Sequence, residues 1–582
     1  MAGAMKTIDS ARRELLKFSG MGLAAAAAAA IPATASAAPR SSSGSPAGPF
    51  FDIRTYGAVG DGKTVDSPAI NKAIEAAAAA GGGTVYFPAG TWLSFSIRLK
   101  SHVSLFLSQG CILLAADSPK PGETTGYNGG TYDATEPNTA WDAYQDYGHN
   151  HWKNSLIWGI DIHDVSITGP GLIYGKGLSF GAGPGRPPGA PKTVGFGPER
   201  LPGTPAPPVR TFPPRGAYPM YQAEQPGVGN KAIALKNCRN VIFRDFSVLK
   251  GGHFALLLTG VDNLTIDNLT IDTDRDGIDI DCCRNVRVSN CYVNSPWDDG
   301  ICPKSSYALG YARATENMTI TNCYVAGSYE LGTMLDGTYK RFAPDTQHVA
   351  HNGRIKCGTE SNGGFKNITI SNCVFDACMG LALESEDGAL CEDIAISNIT
   401  MRDVVNAPLF FRLGARLRGP KESTKAGTLQ RIVVDNLVSY NTVPHISSIL
   451  SGIPDHPIQD IKLSNIYIQH LGGGTAEDAK ITMPEKEAAY PDPGMFGHTT
   501  PSQGFFLRHV NRIEMSHVEV APAQSDQRPS FYLEDVNRAD FIAVTAPTSP
   551  SAFALHKVED LRIALSRAAK DTQLANADNQ TL

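Results

Sequence analysis

Three carboxylates separated by one short interval could carry out acid–base chemistry together. Asp276 is followed 22 residues later by Asp298, with Asp299 next to it. If the chain forms stacked coils of that length, which lie roughly 4.8 Å apart, the three side chains meet on one surface. A turn between Asp298 and Asp299 is then needed, because adjacent strand residues point to opposite faces. Clustering raises the pKa of at least one carboxyl, and hydrolysis of a glycosidic bond needs one protonated carboxyl beside one ionised carboxylate.

Two neighbouring side chains could extend this site to a sugar-binding cleft. Trp297 precedes the aspartate pair, and its ring either stacks on a sugar face or packs against the protein. His253 follows two glycines and either faces the same cleft or is structural. The spacing of Cys and His predicts no zinc site, and no other metal or cofactor is implied.

The remaining aspartates of this region have a plainer interpretation. Aspartate is common at the turns of repeat proteins, and an aspartate-rich coil can face solvent or bind Ca²⁺. We expect this of Asp272, Asp274, Asp279 and Asp281.

A repeated pattern from about residue 160 onward would position these side chains. A polar residue precedes an apolar-x-apolar-x segment that closes with Asn or Asp, and copies begin at Asn240, Asn263, Asn285, Asn317, Asn367, Asp393, Arg431, Asp460 and Arg512. Alternation with period two predicts strands that place one face on a core. A repeat of about 20–30 residues predicts stacked coils. The closing Asn tolerates left-handed backbone, and its side chain can join an amide ladder.

The eleven cysteines do not indicate a disulfide framework. Three of them, Cys291, Cys323 and Cys373, follow Asn at the same place in the repeat. Because equivalent positions of successive coils stack, we predict an internal column of small apolar side chains. The odd number implies at least one free thiol, and a disulfide between Cys378 and Cys391 stays open.

Charge and the N-terminal segment bear on partners and location. The net charge of −6 and pI of about 6.2 leave no basic stripe for nucleic acid. Arg12-Arg13 resembles a twin-arginine export motif, and Ala35-Ser36-Ala37 suits signal peptidase. The apolar stretch between them is shorter than the ~20 residues of a membrane span. We expect cleavage and a periplasmic or extracellular protein that is not held by a membrane.

Five segments follow from these patterns. They are a signal peptide at 1–37, a flexible linker at 38–48, an N-terminal cap with the first coils at 49–110, a β-helix catalytic domain at 111–560 and a C-terminal tail at 561–582. Within the fourth, residues 175–229 are so rich in Gly and Pro that they cannot be regular sheet. We expect this loop to wall one side of the cleft.

The cap resembles the opening of the pectate-lyase and polygalacturonase superfamily. A Tyr-Gly-Ala-Val-Gly-Asp-Gly segment leads to a helix, with Ser67 as N-cap and an end at Gly81, and then to Gly-Gly-Thr-Val-Tyr-Phe-Pro. The resemblance implies an all-β fold, a single right-handed parallel β-helix solenoid whose N-terminal helix covers the apolar end of the first coil.

The aspartates resemble the motifs of the polygalacturonase family. Asp276-Gly277-Ile278-Asp279 is similar to the end of its Asn-Thr-Asp-Gly motif, Asp298-Asp299 to its paired aspartates, and Lys304 to the Lys that often follows. This implies that Asp298 is a general acid and that Asp276 and Asp299 hold and deprotonate a water. It implies an inverting glycoside hydrolase, with carboxylates roughly 6.5–9.5 Å apart, that acts as a monomer on a pectic polysaccharide or oligosaccharide.

Two departures concern the positions around these aspartates. Arg275 replaces the Thr of the motif, and Asp274 takes the place of its Asn. The family's Gly-His-Gly motif is missing, with Gly353 where His would be and His351 two residues before it.

A third departure concerns substrate. Arg354 and Lys356 resemble the family's Arg-Ile-Lys motif, which grips a galacturonate carboxylate, but they lie one coil early, and Ala382 and Glu384 occupy the expected coil. A Glu facing a galacturonate would repel it, so we expect homogalacturonan to be a poor substrate. A neutral sugar such as the rhamnose of rhamnogalacturonan would lie beside Glu384. The alternative is that Glu384 points away and that Arg354 and Lys356 bind the uronate.

Two other functions stay open at this point. A β-helix polysaccharide lyase would use Ca²⁺ held by the aspartates and an Arg or Lys base. A non-catalytic carbohydrate-binding β-helix would bind without turnover.

Overall fold

The computed structural model describes residues 50–120, 122–145, 147–179, 225–327, 329–341 and 351–582. The predicted signal peptide, the linker and residues 180–224 of the Gly/Pro-rich loop lie outside these residues.

Strands dominate the described chain. The first ten are β1 Phe50–Asp52, β2 Asp61–Val65, β3 Gly83–Phe87, β4 Gly90–Ser94, β5 Ile97–Arg98, β6 Val103–Leu107, β7 Cys111–Ala115, β8 Ile157–Ile160, β9 His163–Thr168 and β10 Leu172–Tyr174. The next fourteen are β11 Lys231–Lys236, β12 Arg239–Arg244, β13 Ser247–Leu249, β14 Phe254–Thr259, β15 Asp262–Asp267, β16 Thr270–Asp272, β17 Asp276–Asp281, β18 Arg284–Ser289, β19 Tyr292–Asn294, β20 Ile301–Lys304, β21 Thr315–Thr321, β22 Tyr324–Ala326, β23 Tyr329–Leu331 and β24 Lys340–Arg341. The last thirteen are β25 Lys356–Cys357, β26 Phe365–Asp376, β27 Leu381–Ser385, β28 Leu390–Arg402, β29 Leu409–Leu413, β30 Thr428–Thr442, β31 Ser448–Ser451, β32 Ile458–His470, β33 Phe505–Pro522, β34 Phe531–Ile542, β35 Phe553–Ala564, β36 Thr572–Ala577 and β37 Gln580–Thr581.

Helices are few and short. The only α-helix of the described residues is α1, Ser67–Ala79. Single 3₁₀ turns occur at Ile53–Tyr56, Tyr127–Gly129, Asp142–Tyr144, Tyr147–Asn150, Asp478–Lys480 and Pro493–Phe496. No helix in the described part of the chain is long and apolar enough to cross a membrane.

Each coil pairs in parallel with the coil before and the coil after it. One face of the solenoid is a sheet in the order β5, β8, β11, β14, β17 and β20, which we call the cleft sheet. A bridge between Ile301 and Ile355 continues this row toward β25, β27, β29, β31 and β33. The chain is therefore a right-handed parallel β-helix, and the predicted fold class is confirmed.

The interior is built from stacked columns of like side chains. Tyr292 pairs with Tyr324, which pairs with Val374, so the three preceding cysteines lie in consecutive coils. These are Cys291, Cys323 and Cys373, all buried, and the predicted column is confirmed. All eleven cysteines, Cys378 and Cys391 among them, are buried free thiols.

An amide ladder runs along the residues that open the repeat copies, and the predicted ladder of closing Asn residues is present in part, where Asn322 donates to Asn290 and Asn398 donates to Asn372. The opening residues Asn240, Asn263, Asn285, Asn317 and Asn367 all have φ between 54° and 57°. From Asn263 onward, each of these side-chain amides donates to the Asn oxygen of the coil before it, at 2.9 to 3.3 Å. Asn suits this place because it tolerates left-handed backbone and carries both a donor and an acceptor.

The helix α1 covers the first coil, with one difference at its start. Its buried face contains Ile70, Ala73 and Ile74, as predicted. The N-cap is Asp66 and not Ser67, which is the first helical residue. The Asp66 carboxylate accepts hydrogen bonds from the backbone N–H groups of the preceding turn, at 2.7 and 3.1 Å, and so fixes the approach to the helix.

The other end of the solenoid is also covered. Residues 561–582 were expected to form a tail, but they complete β35 and add β36 and β37, which pair with it in antiparallel fashion. This hairpin satisfies the open backbone edge of the last coil, which would otherwise invite pairing with another chain.

Candidate active site

The three predicted aspartates meet on the outer surface of the cleft sheet. Asp276 begins β17, and the backbone N–H of Gly277 donates to the Asp299 carbonyl at 3.0 Å, so Asp276 and Asp299 occupy equivalent places in neighbouring coils. One side-chain oxygen from each of Asp276, Asp298 and Asp299 lies within 4.8 Å of the other two. The predicted clustering is confirmed, and these oxygens lie closer together than the roughly 6.5–9.5 Å that the resemblance implied between carboxyl groups.

A turn brings Asp298 onto the same surface as Asp299. It lies between the end of β19 and the start of β20, where regular pairing stops. The backbone N–H of Gly353 donates to the Asp298 carbonyl at 2.8 Å, and the N–H of Asp299 donates to Asp298 Oδ1 at 3.1 Å. The predicted turn at Asp298 and Asp299, which interrupts the regular strand, is therefore present.

The three carboxylates differ in exposure. The Asp298 side chain is 22% exposed, whereas those of Asp276 and Asp299 are 3% and 1% exposed. Asp298 is therefore the member of the cluster in contact with solvent, and the other two are recessed behind it.

Charge and burial move the pKa values of two members of this cluster apart. Burial and the charge of Asp298 raise the pKa of Asp276 well above its ordinary value. Burial also raises the pKa of Asp298, but the charges of Arg275 and Lys356 outweigh it and lower that pKa to about 2. The surroundings therefore favour the protonated form of Asp276 and the ionised form of Asp298.

Two predicted cations hold Asp299. Arg354 Nε lies 3.0 Å from Asp299 Oδ1, and Lys356 Nζ pairs with Asp299 Oδ2. Both cations are 4% exposed, so they contact the catalytic cluster from within the protein. The sequence correctly predicted that these two cations lie near the aspartates. They are buried beneath the surface there and not exposed on it.

Glu384 does not face the cleft, which corrects the expected substrate contact. It is fully buried on β27, and its Oε1 accepts a hydrogen bond from Arg354 Nη2 at 3.2 Å. Burial raises the pKa of Glu384 to about 7, although Arg354 and Lys356 act to lower it. Glu384 thus supports the cation that holds Asp299.

Lys304 lies at the centre of a buried network of charged and polar side chains. The sequence predicted only some of its members. Its Nζ lies 2.9 Å from His149 Nε2, 3.2 Å from Asp279 Oδ2, 3.7 Å from Glu360 Oε2 and 3.8 Å from Asp276 Oδ1. His149 lies 155 residues before Lys304, on an excursion without the repeat pattern, so no local signal pointed to it. Glu360 lies in a Gly-Thr-Glu segment, and no role was predicted for it from the sequence.

The aspartates expected at solvent-facing turns are buried instead. Asp279 contacts Lys304, Asp281 accepts from the Ser306 backbone, and the exposures of Asp272, Asp274, Asp279 and Asp281 are 4%, 8%, 0% and 0%. Their partners come from neighbouring coils, as with Asn294 and Lys304 at strand ends, and from segments between strands, as with Ser306. The prediction considered only the turn at which each aspartate lies.

Backbone contact explains the missing histidine. Gly353 has φ of +53°, and a Cβ at this place would lie 2.1 Å from the Ala326 carbonyl oxygen. A side chain therefore cannot be accommodated there. His351 is buried, and its Nδ1 lies 3.2 Å from the Gly327 carbonyl oxygen.

Of the two ring-bearing side chains that were predicted to contact a sugar, one is buried and the other lies at the surface. The His253 ring is buried and stacks on Phe254, with centroids 4.3 Å apart. Trp297 is half-buried beside Asp298, and its backbone N–H donates to the Asp274 carbonyl at 3.0 Å. Of the two, only Trp297 is partly exposed.

A second exposed ring was missed by the sequence reasoning. Tyr490 is 59% exposed and lies 6.0 Å from the Arg416 guanidinium. It belongs to residues 471–504, whose Met483 and Phe496 pack on the outer apolar cluster beside Ala382. Nothing in the repeat pattern predicts that this segment folds back over the sheet.

Comparisons with known proteins agree with this architecture. A family described as "Rhamnogalacturonase A/epimerase, pectate lyase-like" matches residues 50–106, and one described as "Right handed beta helix region" matches residues 231–405. A "Probable polygalacturonase" of Vitis vinifera is 24% identical over 431 residues, which cover 72% of this chain and 73% of that protein.

A more local match and a solved structure complete the comparisons. "Plasmin and fibronectin-binding protein A" of Streptococcus pneumoniae is 50% identical over 66 residues, or 11% of this chain and 9% of that one. The crystal structure of a hyperthermoactive exopolygalacturonase from Thermotoga maritima has a TM-score of 0.51 at 19% identity, over 72% of this chain and 87% of that one. The likeness to that structure extends to the fold.

Proposed function

We propose that this polygalacturonase-like protein, a right-handed parallel β-helix of the pectate-lyase superfamily, hydrolyses glycosidic bonds in a pectic polysaccharide. The observation that carries the proposal is one partly exposed aspartate, Asp298, in front of two recessed ones. The similarity to a plant protein named a probable polygalacturonase supports the substrate class.

The exposures suggest a role for each carboxylate. Asp298 reaches the leaving glycosidic oxygen because it is the member that faces the cleft. Asp276 and Asp299 lie too deep to meet the anomeric carbon directly, so they act on it through a water. Water attack with one acid and one base is the inverting reaction.

The proton of the cluster can complete a cycle. When substrate binds, the proton passes from Asp276 through an intervening water to Asp298. The transfer is possible because the protonation of each carboxyl depends on that of the other. Asp298 gives it to the leaving oxygen as the C–O bond breaks, and the attacking water forms the new C–O bond and gives a proton to Asp276. The products depart with Asp276 again protonated, as in the unliganded site.

The short carboxylate separation calls for a direct test of stereochemistry. Carboxyls about 5–5.5 Å apart are usual in retaining enzymes, which use one of them as a nucleophile. Here the inner carboxylates are recessed, and Asp299 is held by Arg354 and Lys356, which favours water as the nucleophile. Proton NMR of the first-formed product should show the inverted anomer. A retained anomer would show that the inverting mechanism proposed for this cluster is wrong.

The charge balance favours hydrolysis over a Ca²⁺-dependent lyase. The aspartate oxygens lie close enough together for a metal ion, but four cations pair with the three carboxylates. A Ca²⁺ site needs uncompensated negative charge on its oxygens. The cations are Arg275, Lys304, Arg354 and Lys356.

Product analysis on pectic fractions tests the function itself. We expect reducing sugar without an unsaturated product that absorbs in the ultraviolet, and no loss of activity with a chelator. Chelator sensitivity with an unsaturated product would establish a lyase, and binding without turnover would establish a carbohydrate-binding protein. Homogalacturonan and rhamnogalacturonan should both be assayed. The expected preference for a neutral sugar depended on a Glu384 that faces the substrate, and Glu384 is buried, so that preference is no longer predicted.

Export would bring such an enzyme to its substrate, since a polysaccharide does not enter cells. We propose that residues 1–37 direct it to the periplasm or beyond by the twin-arginine route. Replacement of both Arg12 and Arg13 by Lys should retain the protein in the cytoplasm, and unchanged export would exclude this route.

A further inference from the structure

Arg275 lies at the exposed side of the aspartate cluster, at a position where the related motif has Thr. It immediately precedes β17, and its Nη2 lies 2.7 Å from Asp298 Oδ2. The two side chains are 23% and 22% exposed, so the ion pair is in contact with solvent. A bound substrate would meet this pair first.

The pair with Arg275 favours the ionised form of Asp298, which has no proton to donate. Its Oδ1 accepts a hydrogen bond from the Asp299 backbone N–H, and its Oδ2 accepts from Arg275. A carboxyl acts as a general acid only when one of its oxygens carries hydrogen. The backbone N–H is fixed by the turn, whereas Arg275 is a long and partly exposed side chain that can move away.

The other cations of the cluster are poorly placed to bind a substrate carboxylate. Lys304 is 7% exposed, and Arg354 and Lys356 are each 4% exposed. Each of them pairs with a buried protein carboxylate that would be left without its partner. Arg275 is the most exposed of the four, and guanidinium suits a carboxylate because it offers two parallel N–H donors.

We propose that Arg275 binds a uronate carboxylate of the substrate and that this exchange releases Asp298 to act as the acid. This inference rests on the proposed function. Arg275 keeps its charge and exchanges one carboxylate for another, and the proton that Asp298 takes up comes from Asp276. Burial in the occupied cleft then favours the protonated form of Asp298.

The exchange makes the uronate a requirement for turnover as well as for binding. A substrate whose carboxylates are methyl esters cannot draw Arg275 away, so Asp298 stays ionised in its complex. We therefore expect such a substrate to show a lower kcat than the free acid, in addition to a higher KM.

Steady-state kinetics of Arg275→Gln on paired substrates test the proposal. The substrates are an oligogalacturonate and the same oligomer as its methyl ester, and the control variant is Arg287→Gln. Arg287 is an exposed arginine of β18, outside the cleft sheet, which donates to Thr265 at 3.0 Å. Thermal unfolding of both variants checks that the fold is retained.

Opposite changes on the two substrates are expected for Arg275→Gln. Its kcat/KM on the free acid should fall about tenfold or more, because a charge-assisted contact is lost. Its kcat on the ester should rise, because Asp298 is no longer held by a cation. The alkaline limb of its kcat/KM profile should move to higher pH, since removal of a positive charge raises the pKa of the aspartate pair.

The remaining outcomes separate this inference from the proposed function. Equal falls on both substrates would show that Arg275 is merely structural and overturn the inference. So would a wild-type enzyme that cleaves acid and ester equally well. A wild-type enzyme that hydrolyses no pectic substrate at all would overturn the proposed function, and the inference with it.

Discussion

At the scale of residues, burial and neighbouring charge give three identical side chains different properties. Burial and the charge of Asp298 raise the pKa of the enclosed Asp276, whereas Asp298 is partly exposed beside Arg275 and has a pKa of about 2. The sequence located all three through their spacing and motif resemblance. It could not rank the pKa values of Asp276 and Asp298, because these depend on burial and, for Asp298, on the charge of the distant Lys356.

Substitution of each aspartate separates the acid from the base. We expect Asp298→Asn to lower turnover of a pectic polymer by roughly 10²–10⁴ and to leave binding intact. An aryl galacturonide with a good leaving group needs no protonation, so Asp298→Asn should retain most of its activity on that substrate. Asp276→Asn should lose activity on both, because it removes the base. If the two variants exchange these behaviours, Asp276 is the acid.

Glu384 should make the free energy of unfolding depend on pH. Its pKa is raised from 4.5 to about 7, so the folded state binds a proton that the unfolded state has lost between these values. Stability from this group is therefore present below about pH 4.5 and falls as pH rises to about 7, by at most about 3 kcal/mol. Glu384→Gln should remove this part of the dependence in urea unfolding from pH 4.5 to 7.

An exposed glutamate provides the control for Glu384. Glu514 is 39% exposed and pairs with Lys462 at 3.1 Å on the outside of the coils. Glu514→Gln should leave the pH dependence of unfolding as it is in the wild type. Parallel curves for Glu384→Gln and the wild type would show that the pKa of Glu384 is not raised in the folded protein.

At the scale of elements, the periodic parts of the fold were predictable and the excursions were not. Alternation and recurring Asn identified the strands and the ladder, because every coil repeats the same local requirement for left-handed backbone. His149 and Tyr490 lie on segments between coils, which have no repeat to compare. The segment with His149 contacts the buried Asp279, so the sequence predicted the scaffold better than the covering of its face.

The ladder residue Asn285 offers a test of this requirement. Its φ is +56°, and its amide lies between those of Asn263 and Asn317. Asn285→Ala should lower the free energy of unfolding by about 1–2 kcal/mol, because a Cβ without a local hydrogen bond disfavours left-handed backbone. Asn285→Gly loses the same amide contacts but tolerates the conformation, so it should cost less. Urea unfolding compares them, and equal losses would mean that the amide contacts alone matter.

At the scale of the whole molecule, a solenoid needs both ends covered. The N-terminal cover α1 was predictable, because capping residues and an apolar face mark a helix. The C-terminal cover was not, because β36 and β37 are short strands without the repeat pattern. Their function is visible only in their antiparallel pairing with β35.

Removal of the C-terminal hairpin should make the protein associate. A chain that ends after Leu565 lacks β36 and β37 and exposes the backbone edge of β35 along Val558 to Ile563. Unpaired N–H and C=O groups on a flat edge pair with other strands, and a second truncated chain offers the same edge. Light scattering coupled to size-exclusion chromatography should show a mass that rises with concentration for the truncated chain and stays constant for the full one. A truncated chain whose mass equals that of a single copy at every concentration would show that the last coil protects its own edge.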